Sequence, residues 1–120
     1  MNDRTTSHPI NVLLAIEPLM YREVMASYLR RHRPQAEVIL ASGETLEAEV
    51  ERVRPLLIIA TEPSAAAKAA ETFWVEIRIG ERRIDADISI DGYTATVQNV
   101  SPQDLLAAVD RAAEELVDGA

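Results

Sequence analysis

The chain has 120 residues, nearly half of them apolar, which is enough for one domain with a real core. Its formal charge of -8, from 20 acidic against 12 basic side chains, would repel a phosphate backbone and argues against a nucleic-acid partner. With no cysteine and only His8 and His32 as histidines, disulfides and thiolate or histidine-built metal centres are excluded, and no apolar run approaches the ~18 residues of a membrane span.

Residues 1–9 are polar, aperiodic and end in proline, so they read as a flexible tail to which His8 belongs. They lack a signal peptide's apolar stretch, and a soluble cytoplasmic protein is expected. Residues 10–120 read as a single α/β domain. Ile10 to Ile16 is a continuous apolar strand closed by Glu17-Pro18, and Pro18 can open a helix.

From Leu19 to Arg33, Met20, Tyr21, Val24, Met25, Tyr28 and Leu29 recur at helical spacing, with Arg22, Glu23, Arg30 and Arg31 elsewhere. This apolar set spans about 180° of the helix, wider than the ~100° that faces one core. Tyr21, Met25 and Tyr28 are therefore either half-exposed rim residues or a candidate interface covered by a protein partner or a second copy. The run Arg30-Arg31-His32-Arg33 precedes Pro34, where positive charge complements the helix C-terminal dipole.

Glu37 to Ala41 is a short strand, Ser42 to Thr45 a turn, and the segment to Arg54 a short helix with Leu46, Val50 and Val53 on one side. Arg54-Pro55 then leads into Leu56 to Ala60, whose unbroken apolarity and β-branching suit a strand covered on both faces. Strand and helix alternating at this spacing predict a parallel sheet in the order 2-1-3. Glu62 to Thr72 is alanine-rich and reads as a weak short helix or a poorly anchored loop.

From Phe73 to Gln98 the period becomes two, and an antiparallel meander is expected next to the Pro55 to Thr61 strand. With two-residue turns at Gly80-Glu81 and Asp91-Gly92, Ile77 pairs with Ile84, Val75 with Ala86, Ile90 with Tyr93 and Ile88 with Ala95. The other face carries Glu76, Arg78, Arg83, Asp85, Asp87, Ser89, Thr94, Thr96 and Gln98 and is expected to meet water. Ser101-Pro102-Gln103-Asp104 starts a last helix, with Leu105, Leu106, Val109, Ala112, Ala113 and Leu116 as its stripe. Leu13, Leu57, Ile59 and Leu106 are expected in the core.

Val12-Leu13-Leu14 before Glu17-Pro18-Leu19 and Arg22-Glu23, Ala41-Ser42-Gly43-Glu44, Arg54-Pro55, and Val100-Ser101-Pro102-Gln103-Asp104-Leu105-Leu106 together resemble a response-regulator receiver domain, over about half the chain. The resemblance implies a flavodoxin-like, three-layer α/β sandwich, its parallel N-terminal strands extended here by the antiparallel C-terminal meander. In that family an acid pair and an acceptor aspartate hold Mg²⁺, and a hydroxyl and a lysine engage the phosphoryl group. The matching positions here are Ala15, Ile16 or Glu17 for the acids, Thr61 for the acceptor, Ile79-Gly80 for the hydroxyl and Gln98 for the lysine.

At most one carboxylate remains, and a threonine without a nearby base does not replace a carboxylate nucleophile. Ile16, Glu17, Thr61, Glu62 and Gln98 thus mark a crevice that is a degenerate phosphorylation site, with no cofactor or metal expected. The chain also ends soon after the last helix, which suggests a stand-alone domain. The leading expectation is a non-catalytic pseudo-receiver in signalling, unphosphorylated, that acts through a protein partner or as a homodimer. The alternative is an enzyme or small-ligand binder using the crevice at the carboxyl ends of the parallel strands, where Glu17, Ser42, Thr61 and Glu62 would lie. A third possibility is a phosphorylation-independent receiver that senses a small molecule there.

Overall fold

Ile10–Ala15 (β1) and Leu57–Ala60 (β3) run side by side in the interior of the sheet, each buried on both faces. The computed structural model describes residues 10–62, 68 and 72–118, with side chains as far as Glu115. The tail 1–9 and residues 63–67 and 69–71, on which the readings of a flexible lead-in and of a weak helix or loop fall, lie outside the described residues, as does the side chain of Leu116.

Among the described residues six strands form one mixed sheet in the order β2-β1-β3-β4-β5-β6, with β2 at Ala36–Leu40, β4 at Phe73–Ile79, β5 at Ile84–Ile90 and β6 at Tyr93–Val97. β2, β1, β3 and β4 pair in parallel, and β5 and β6 complete an antiparallel meander. Helices α1 (Leu19–His32), α2 (Leu46–Val53) and α3 (Pro102–Asp118) flank it.

Alternation along the strands builds two cores. Val12, Leu14, Leu57, Ile59, Val75, Ile77, Ala86, Ile88 and Ile90 meet α1 and α3 through Ala26, Leu29, Leu105, Ala108, Val109 and Ala112. Leu13, Ala15, Ile58 and Ala60 point the other way, onto Leu46 and Val50 of α2. The polar face of β4 to β6 carries one cross-strand pair, Arg78 with Asp87, whose other oxygen accepts from Thr96, and a local pair at the start of β5, Arg83 with Asp85. No described helix is long and apolar enough to cross a membrane.

Three details differ from the sequence reading. The β4–β5 register is Ile79 with Ile84, Ile77 with Ala86 and Val75 with Ile88, two residues away from the expected pairing. Gly80 does not take the positive φ that a type II′ turn at Gly80-Glu81 requires. The hairpin closes instead around Glu81 and Arg82, with the Gly80 N–H donating to the Arg83 carbonyl at 3.0 Å. A slip of two preserves parity, so the buried face is unchanged. At the second turn Asp91 and Gly92 both have positive φ, and Ile90 with Tyr93 and Ile88 with Ala95 pair as expected.

Second, Leu106 is only half-buried, because Leu105, Ala108, Val109 and Ala112 set the phase of α3 and leave it on the flank. Third, α1 is rotated relative to its apolar residues. Arg22, Ala26 and Leu29, at i, i+4 and i+7, are its buried residues, while Met20, Tyr21 and Val24 are exposed.

Candidate functional site

The carboxyl ends of β1 and β3 form the mouth of the parallel sheet, the usual binding crevice of an open α/β sheet. Ala15 lies beside Ala60, so the segments after them, Ile16-Glu17 and Thr61-Glu62, leave the sheet side by side. The Thr61 hydroxyl accepts from the Glu17 N–H at 3.1 Å, and the Thr61 N–H donates to the Ala15 carbonyl at 3.3 Å. Thr61 therefore ties the two loops together.

Glu17 turns toward the start of α2. One of its carboxylate oxygens accepts from the Gly43 N–H at 3.2 Å, and the other lies 3.8 Å from the Arg22 guanidinium. Arg22 is 9% exposed and also donates through Nη1 to the Ala41 carbonyl at the end of β2. Its Nε is buried and has no hydrogen-bond partner. Ser42 and Thr45 close the adjoining turn: the Ser42 N–H donates to the Thr45 hydroxyl at 3.1 Å and the Thr45 N–H to the Ser42 hydroxyl at 3.3 Å.

Glu17 and Thr61 are thus brought together, and Ser42 sits nearby. Ile16 is buried in the larger core and offers the crevice no polar group. Glu62 is exposed. Gln98 follows β6, three strands beyond β3 in the sheet, or about 14 Å across at the usual strand spacing. It is exposed and stands apart from Glu17 and Thr61. Ile79 and Gly80 also miss the mouth. Ala60 pairs with Glu76, so β4 runs three residues further and carries them roughly 10 Å past the end of β3.

Sequence reasoning missed Arg22 as a member of this site. Its signal was the small Ala26 and the Leu29 at helical spacing behind it, which give a long side chain room to lie against the sheet. Among the described residues, no group of three or more histidine, aspartate or glutamate side chains is clustered so as to hold a metal ion.

The candidate interface on α1 divides. Tyr21 is 44% exposed, whereas Met25 and Tyr28 pack half-buried against the larger core, with the Tyr28 ring 4.3 Å from that of His32. The most exposed apolar residues of the helix are Met20 and Val24, at 69% and 60%.

An open concavity of about 480 Å³ lies at the β4–β5 turn, lined by Arg78 to Arg83 and Asp85. Arg78 and Arg83 are already paired with Asp87 and Asp85 there. Comparison with protein-family models, with curated proteins and with solved structures finds no match to this chain.

Proposed function

We propose that the chain is a degenerate receiver-like domain that works as a non-catalytic protein-interaction or regulatory module and is not phosphorylated. The observation that carries this reading is the internal pairing of the mouth. Glu17, the one carboxylate aligned with the family's metal-binding acids, is held by the Gly43 N–H and the Arg22 guanidinium, and the Thr61 hydroxyl by the Glu17 N–H. A hard dication needs several free oxygen ligands, and here a guanidinium already supplies positive charge beside Glu17.

The reading is tested with acetyl phosphate and Mg²⁺ followed by intact-mass measurement. No phosphate-dependent mass increase is expected, and Mg²⁺ alone should not raise the melting temperature. A phosphoryl adduct that disappears in Thr61→Val or Glu62→Gln would overturn the proposal. A metabolite that raises the melting temperature, with the effect lost in Glu17→Gln, would favour a small-ligand site at the mouth instead.

A further inference from the structure

The sheet has two edges, β2 and β6, and they are finished differently. On β2 the Ala41 N–H donates to the Leu14 carbonyl, so odd-numbered residues face β1, and Ala36, Val38 and Leu40 turn their backbone groups outward. Two of those outward groups are covered. Arg30 donates to the Val38 carbonyl at 2.8 Å, and the Ala36 N–H donates to the Arg33 carbonyl at 3.0 Å. A guanidinium laid over an edge carbonyl obstructs an incoming strand.

β6 has no such device among the described residues. The tight turn at Asp91-Gly92 makes Ile90 and Tyr93 the closing hydrogen-bonded pair, so Tyr93, Ala95 and Val97 bond to β5 while Thr94 and Thr96 turn their N–H and C=O groups to the open edge. The strand Tyr93-Thr94-Ala95-Thr96-Val97 has no charge, proline or glycine, in a chain of net charge -8. Natural edges are usually blunted by just such residues or by a bulge.

We infer that β6 is a self-pairing edge, at which a second copy of this chain adds its own β6 in antiparallel register about a two-fold axis through Ala95. Parity selects this register. Outward-turned Thr94 meets the partner's Thr96 as a hydrogen-bonded pair, and Thr96 meets the partner's Thr94, so all the outward backbone groups of both residues are satisfied. Side chains agree as well. Thr stands opposite Thr on the polar face, and Tyr93 stands opposite the partner's Val97 on the helix-covered face. These are favourable cross-strand combinations, and no like charges face each other. Tyr93 is 41% exposed, with the Arg111 guanidinium over its ring at 3.7 Å, so its free side is available to that valine. The inference stands on the sheet edge and does not depend on the reading of the mouth.

Sedimentation equilibrium of the full chain over a range of concentrations tests it. A reversible monomer–dimer equilibrium is expected, with the dimer at twice 13.3 kDa and strengthened by salt, because two chains of the same net charge repel. The double variant Thr94→Lys/Thr96→Lys places lysine against lysine twice and should be a folded monomer. Thr94→Glu/Thr96→Lys places glutamate against lysine twice and should restore the dimer, a rescue that damage to the fold cannot produce. Met20→Lys/Val24→Lys on α1 should leave the dimer intact. Wild-type protein that stays monomeric into the millimolar range would overturn the inference, as would a dimer that survives in the lysine pair or is lost in the α1 variant. A chain that dimerises through β6 and also takes up phosphate would keep this inference and overturn the proposed function.

Discussion

Gly92 and Arg22 show how a single position can be read from the sequence or hidden by it. Gly92 has φ +83, a conformation that costs an L-residue roughly 1–2 kcal/mol and a β-branched one more. A Cβ placed there would meet nothing within 4 Å, so the penalty is backbone strain alone. Gly92→Val is therefore expected to lower stability by about 2 kcal/mol or somewhat more, while Gly43→Ala, in open space at ordinary φ, should change it by less than about 0.5 kcal/mol. Urea midpoints of the two variants check this, and equal losses would contradict it. The Asp-Gly pair declared its turn because only a few residue types tolerate those dihedrals. Gly80 gave a false signal for the same reason: a glycine permits positive φ without requiring it, and here the chain turns one residue later. Arg22 stayed hidden because hydropathy sorts residues by their heads, whereas its guanidinium is carried inward to Glu17 and the Ala41 carbonyl.

At the scale of elements, burial on both faces separates β1 and β3 from the strands of the meander. Leu57, Ile59 and Leu13 are completely buried, and truncation of each to alanine is expected to cost about 2–5 kcal/mol. Leu106→Ala should cost less, about 1–2 kcal/mol, because the residue already faces water in part. Denaturant midpoints rank these variants, and a loss at Leu106 as large as at Leu57 would mean that α3 packs in another phase. The unbroken run Leu57-Ile58-Ile59-Ala60 made the central strand legible, since a strand sandwiched between helices needs apolar groups at every position. Period-two alternation from Phe73 onward made the one-sided meander legible in the same way. The phase of the helices was harder to read. In α1 the large apolar residues Met20 and Val24 lie outside and the small Ala26 inside, so a pattern that weighs residues by hydrophobicity points to the wrong side. In α3 two adjacent leucines compete for one inward direction, and only the following Ala108, Val109 and Ala112 decide between them.

At the scale of the molecule, the described residues form a six-stranded sheet whose N-terminal and C-terminal halves are joined by the parallel β3–β4 pairing, by packing in the larger core and by an ion pair between the helices on that face. The order of the first three strands followed from alternating strands and helices, but the site did not follow from the fold. Gln98 reached the end of β6 and not the mouth because the meander interposes two strands that local patterns count without placing. The ion pair joins the end of α1 to α3: Arg33 donates from Nε and Nη2 to the two oxygens of Asp110, each at 2.6 Å. These bonds hold the Asp110 carboxyl below its ordinary range, with desolvation opposing and the Arg33 charge reinforcing the shift. A carboxyl depressed in the folded state contributes stability above its unfolded pKa of about 3.9, and that contribution is lost as pH falls through the lower folded value. The Asp110 side chain is 44% exposed, so solvent screening limits the contribution to about 1 kcal/mol or less. Asp110→Asn is accordingly expected to be less stable than the wild type at neutral pH, with the gap closing in acid, below about pH 4, as the wild-type carboxyl takes up its proton. Asp85, lowered by the Asn99 N–H, and Glu49, lowered by Arg52, titrate in both proteins and cancel in the difference. Urea midpoints measured for the pair from neutral pH into acid isolate the one carboxyl. A gap that stays constant throughout would show that Arg33 and Asp110 hold α1 and α3 together by shape and not by charge.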